Sequence, residues 1–94
     1  MNGLLSMQMF HLGRAYASFA AHARRAPNAA TQVMWEGFCN HLFEVVRMLA
    51  QAGTDAEQEL ALNRLIELAR GVERASGDQQ LVEILRRLTQ VAVV

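Results

Sequence analysis

Apolar and polar residues recur along this chain with the 3.6-residue period of an α-helix, and no segment alternates with the period of two expected of a strand. Pro27, Gly53 and Gly77 interrupt the pattern. With capping residues included, the pattern predicts four helices over about residues 4–25, 28–52, 54–77 and 78–94. Because the connections are short, sequential helices should be antiparallel neighbours. We therefore predict an all-α fold, a single helical-bundle domain over residues 1–94, with three long helices plus a shorter fourth.

Capping residues mark the predicted helix boundaries. Asn28 is a good N-cap for the second helix, and Gly53 is expected to adopt positive φ at its C-terminal end. Thr54 and Glu57 form the capping box of the third helix, which Gly77 closes. Two alternatives are open for the N-cap of the fourth helix: Asp78 alone, or Ser76 together with Gln79.

The first helix contains one seam with heptad spacing, which predicts its buried side. Alanines make its second half slim, so that another backbone can approach closely. His11 and His22 fall on the opposite, polar side and are expected to face solvent. The seam consists of Leu5, Met9, Leu12, Tyr16, Phe19 and Ala23.

The second helix has more apolar surface than one side of a small bundle requires. Its polar residues form a narrow stripe, and apolar residues cover an arc of roughly 220°, whereas a core-facing helix needs little more than about 100°. The excess predicts either central placement or a second chain, and we expect a homodimer or a stable hetero-complex. The expected interface residues are Trp35, Phe38, Phe43 and Val46 of this helix, together with Phe10 and Met7 of the first.

The amino-acid composition excludes some classes of protein but does not identify a function. The 94 residues carry nine basic and nine acidic side chains and are 52% hydrophobic. All nine basic residues are arginine, which suggests a GC-rich bacterial genome and excludes Schiff-base chemistry on a lysine. The balanced charge does not favour nucleic-acid binding. Cys39 is the only cysteine, and no signal peptide or membrane-spanning run is evident, so we expect a cytoplasmic protein without a membrane partner.

Candidate chemistry is sparse. His41 lies at the border of the polar stripe beside Glu44. It is either a half-buried structural histidine that the Glu44 carboxylate satisfies, or a proton carrier or metal ligand that this carboxylate holds. Glu36 lies on the same stripe, whereas Cys39 points roughly 160° away from His41 and cannot share an ion with it inside one chain. We predict no cofactor and no resident metal, and Cys39 is expected to be an inert core thiol.

The leading functional hypothesis is a small interaction protein that works through an apolar helix face: an adaptor, a secretion-type chaperone, an immunity protein or a regulator. One alternative is a bundle enzyme or metal protein whose site forms at a dimer interface from His41, Glu44 and Glu36. A second alternative is a DNA-associated regulator that uses Arg86 and Arg87.

Overall fold

A computed structural model shows an all-α chain whose four helices coincide closely with the hydrophobic pattern. It describes the backbone of residues 2–93 and the side chains of residues 9–89. Three long helices and a shorter fourth were predicted, and this is confirmed. The helices are α1 (Asn2–Arg24), α2 (Ala29–Gln51), α3 (Asp55–Ser76) and α4 (Gln79–Val93).

The predicted N-caps are confirmed. Asn28 accepts a hydrogen bond from the amide of Thr31 at 2.8 Å, and the Thr54 hydroxyl accepts one from the amide of Glu57 at 3.1 Å. The Glu57 carboxylate in turn accepts from the Thr54 hydroxyl at 3.0 Å, so the capping box closes. These bonds satisfy amides that have no partner inside the helix.

The remaining helix ends show which of the two alternative N-caps of α4 is used, and they correct the prediction for Gly53. Gly77 ends α3 in the left-handed conformation, with φ of 67°. Asp78 alone caps α4 by accepting from the amide of Leu81 at 3.1 Å, while the Ser76 hydroxyl donates to the carbonyl of Val72. The positive φ predicted for Gly53 was wrong. The helix before it ends with Ala52 in an extended conformation (φ −65°, ψ 119°), so the chain leaves α2 without a left-handed residue.

The helices pack as a closed ring around one core. Each helix contacts two others: α1 contacts α2 and α4, and α3 contacts α2 and α4. In the described part of the chain, the diagonal pairs α1–α3 and α2–α4 do not approach each other. Every helix therefore buries two flanks and exposes one side. The largest fully buried side chains are Phe19, Leu42, Val45, Leu65, Leu68, Val72, Leu81, Val82 and Leu85.

This ring explains where the prediction for α1 was wrong. The prediction of a single buried seam assumed that α1 has one neighbouring helix. In the structure, α1 packs against α2 on one flank and against α4 on the other. Its buried arc is consequently displaced toward α4. His11, expected in solvent, is only 8% exposed, and Met9, expected in the seam, is 64% exposed. The described seam residues Leu12, Tyr16, Phe19 and Ala23 do pack against the core.

The fourth helix has 15 residues against 22 or 23 in the others, so it is shorter by two turns. Within residues 2–93, no helix combines the length and the apolarity that a membrane span requires.

Candidate interaction site

The residues predicted to form an interface take up three different environments. Trp35 is 4% exposed and belongs to the chain's own core, so it offers almost no surface to a second chain. Phe38 and Val46 are half-buried against that core. Phe43 and Phe10 are 60% and 64% exposed. The side chain of Met7 lies outside the described residues.

Trp35 is buried because aromatic rings of α1 and α2 enclose it. Its ring lies 6.1 Å from that of Phe19 and meets Phe38 edge-on at 5.5 Å. The imidazole of His22 stacks on its indole at 4.0 Å with an interplanar angle of 9°. Phe38 packs over Gly71 of α3, where a Cβ would lie 3.4 Å from its ring. The cluster thus ties three helices together.

His22 also joins α1 to the start of α4, which corrects its expected solvent-facing position. Its Nε2 lies 2.8 Å from Asp78 Oδ2, and both side chains are less than a third exposed. The hydrogen bond with His22 is the main reason why the pKa of Asp78 lies below its ordinary value, and the bond from the amide of Leu81 acts in the same direction. One carboxylate therefore caps α4 and anchors it to α1.

His41 and Glu44 are not brought together. Both oxygens of the Glu44 carboxylate accept from Arg47 at 2.7 Å, on the exposed side of α2. His41 Nε2 is buried, and among the described residues it has no hydrogen-bond partner. Glu36 is exposed and lies about two turns before Glu44 along α2. In the described part of the chain, no group of three His, Cys, Asp or Glu side chains has the geometry of a metal site.

A groove of about 330 Å³ runs between α1 and α2, beside the aromatic cluster. Alanines on α1 keep it open, because their short side chains do not fill the space over Phe19 and Trp35. Polar side chains form its rim. Phe19 and Trp35 at its floor are buried, so the apolar surface that the groove exposes comes from Ala20, Ala23 and Cys39. The lining residues are Phe19, Ala20, Ala23 and Arg24 from α1, and Gln32, Trp35, Glu36 and Cys39 from α2.

An exposed aromatic ring extends the groove along the same side of the molecule. Phe43 lies one turn after Cys39 on α2 and packs against Tyr16 of α1, with ring centroids 4.8 Å apart. Although this contact covers one side of the ring, 60% of Phe43 remains exposed. We call the groove residues together with Tyr16 and Phe43 the α1–α2 face.

Burial raises the pKa of two side chains of the α1–α2 face. The pKa of the Cys39 thiol lies above its ordinary value, so its nucleophilic thiolate form is disfavoured. Burial also raises the pKa of Tyr16, and the nearby Cys39 adds to this. In both groups burial therefore favours the neutral, protonated form.

The rim of the α1–α2 face carries one cation and one anion, Arg24 on α1 and Glu36 on α2, both exposed. Within the described part of the chain, neither makes an ion pair. By contrast, Arg47, Arg86 and Arg87 pair with Glu44, Glu73 and Glu83.

Sequence reasoning identified Phe43 and the slim side of α1, but it missed the groove that these features form. The spacing of Tyr16, Ala20 and Ala23 on one flank of α1 was a usable signal. The contact between His22 and Asp78 carried no local signal, because 56 residues separate the two.

In comparison with known proteins, no family model, curated protein or solved structure matches the chain.

Proposed function

We propose that this protein is a small interaction protein that binds another protein chain through the α1–α2 face. The observation that carries this proposal is the continuity of an apolar groove with the exposed ring of Phe43. Exposed apolar residues that occur singly need no explanation, but a contiguous apolar patch with a polar rim is typical of a binding surface.

The α1–α2 face has the composition expected of the centre of an interface. Tyr16 and Phe43 are aromatic, and Arg24 lies at the rim; these residue types are enriched where binding energy concentrates. Full burial of a phenylalanine contributes roughly 1.5–3 kcal/mol, so covering the exposed part of Phe43 is worth about 1–2 kcal/mol.

Two supporting inferences complete the proposal. Loops of two to four residues between consecutive helices favour an antiparallel bundle, in which the α1–α2 face lies along the half of the α1–α2 hairpin nearest its loop. The single cysteine suits a reducing compartment, and we place the interaction in the cytoplasm.

A photo-crosslinking phenylalanine analogue at position 43 tests the proposal in the cell that makes the protein. The matched control carries the analogue at position 60, because Leu60 is 53% exposed but lies on α3, outside the α1–α2 face. We expect covalent protein adducts from position 43 that position 60 does not give. Absence of adducts at position 43, or identical adducts at both positions, would contradict the proposal.

A further inference from the structure

We propose that the chain which docks on the α1–α2 face is a second copy of this protein, seated so that Arg24 of each copy pairs with Glu36 of the other. This inference rests on the proposed function and names its partner. It is carried by the unpaired charges on the rim and by the levels of the residues along the groove.

The charge pattern favours a self-complementary partner. The α1 side of the groove offers Arg24 and the α2 side offers Glu36, and neither is neutralised within the described residues. A strongly acidic or strongly basic partner would satisfy one of these charges and repel the other. A second copy presents the same two charges and can satisfy both.

Ring contacts define which residues of α1 and α2 lie level with one another. Tyr16 lies level with Phe43, and His22 lies level with Trp35. Arg24 follows His22 by two residues, and Glu36 follows Trp35 by one. Arg24 and Glu36 therefore lie at nearly the same level, at one end of the groove. A two-fold axis along the groove sets α1 of each copy opposite α2 of the other without changing these levels.

In this arrangement the apolar parts of the two copies are also matched. Phe43 of one copy comes opposite the region of Tyr16 in the other, and Cys39 comes opposite the alanine flank of α1. Ala20 and Ala23 are small enough to let the second backbone approach closely. The interface would then have an apolar centre, with the two Arg24–Glu36 pairs at its rim.

The size of the surface suits a dimer that dissociates on dilution. The face extends over residues 16–24 of α1 and 32–43 of α2. At about 1.5 Å per residue and about 10 Å of width, these two segments give a footprint of roughly 300 Å² per copy. Two such footprints bury less than the roughly 1,000 Å² that specific interfaces exceed, so we expect a weak dimer with a dissociation constant of roughly 100 μM or above.

Charge reversal with complementation tests the pairing, measured as molar mass by light scattering over a range of concentrations. Arg24→Glu places two acids opposite each other at both contacts, and Glu36→Arg places two bases there. Each variant alone is expected to dimerise at least tenfold more weakly than the wild type. In an equimolar mixture of the two variants both contacts again join opposite charges, so the mixed dimer should form with near wild-type affinity.

Arg64→Glu is the matched control, because Arg64 is an exposed arginine on α3 without an ion pair among the described residues. It should dimerise like the wild type. Circular dichroism checks that each variant keeps its helices, since an acid in the last turn of α1 opposes the helix dipole.

Three results would overturn the pairing: a wild type that is monomeric at every concentration, single reversals that dimerise normally, or a mixture that stays monomeric. If the wild type is monomeric while position 43 still crosslinks to a different protein, the second copy is excluded and the proposed function stands. If position 43 gives no adduct, the proposed function fails as well.

Discussion

At the scale of single residues, the Asp78 side chain links two helices. It accepts a hydrogen bond from the amide of Leu81 at the start of α4 and contacts His22 near the end of α1. Since its pKa is lowered in the folded chain, its ionised form stabilises the fold at pH values above the ordinary aspartate pKa of about 4. That contribution is lost as pH falls through the lower pKa of the folded state.

Replacing Asp78 by asparagine separates its charge from its capping role. Asparagine is also a good N-cap, so Asp78→Asn removes the charge-assisted bond to His22 and leaves a cap in place. We expect a loss of roughly 1 kcal/mol in the free energy of unfolding at neutral pH, which shrinks as the pH falls below about 4. Urea unfolding at several pH values measures both the loss of stability at neutral pH and its decrease at low pH.

Asp55→Asn provides the control for that experiment, because Asp55 is an exposed acid in the first turn of α3. It should change stability by less than half as much as Asp78→Asn. An equal loss in the two variants, or a loss for Asp78→Asn that does not depend on pH, would show that the contact with His22 contributes nothing specific.

The residue scale is also where sequence reasoning was weakest. Phe43 was expected on the surface and is exposed, but Trp35 lies inside the core although it is part of the same apolar arc of α2. A helical wheel gives the direction of a side chain, whereas burial depends on where the neighbouring helices lie. His11 and Met9 were misassigned for the same reason, since α4 covers the flank of α1 that the heptad seam left free.

At the scale of helices, periodicity and capping chemistry were sufficient to predict the architecture. Asn28, Thr54 and Gly77 end up in the capping roles that their side chains or conformational freedom favour. Gly53 does not, because the Thr54–Glu57 box that follows already organises the connection: Glu57 accepts a bond from the amide of Gly53 at 3.3 Å. Periodicity and capping residues therefore define where the helices begin and end. Where two capping motifs are adjacent, as at Gly53 and Thr54, their competition determines the conformation of a single residue.

Two helical glycines give a prediction at this scale. A Cβ at Gly37 would meet nothing within 4 Å, while one at Gly71 would lie 3.4 Å from the Phe38 ring. Gly37→Ala should raise the free energy of unfolding by about 0.5–1 kcal/mol, because alanine is the better helix former. Gly71→Ala should gain at least as much, since its Cβ would also make a van der Waals contact with the ring of Phe38. Thermal and urea unfolding compare the two variants, and a loss of stability at position 71 would contradict the packing described for Phe38.

At the scale of the whole molecule, the ring of four helices explains why the α1–α2 face is available for binding. Each helix buries two flanks. The depth of the groove between two neighbouring helices therefore depends on the size of the side chains that line it. Between α1 and α2 that size is small on the α1 side, and the groove stays open. The excess apolar surface of α2 could be predicted from sequence, but the groove could not, since it needs the register of two helices.

Alkylation of Cys39 tests most directly whether a second copy covers the α1–α2 face. Cys39 lines the groove and is the only cysteine, so its rate of reaction with a maleimide reports on access to that surface. A Cys39→Ser, Leu60→Cys double variant reports on α3 instead. We expect the rate at Cys39 to fall as protein concentration rises through the dimerisation range, while the rate at position 60 stays constant. A rate at Cys39 that is independent of concentration would contradict it.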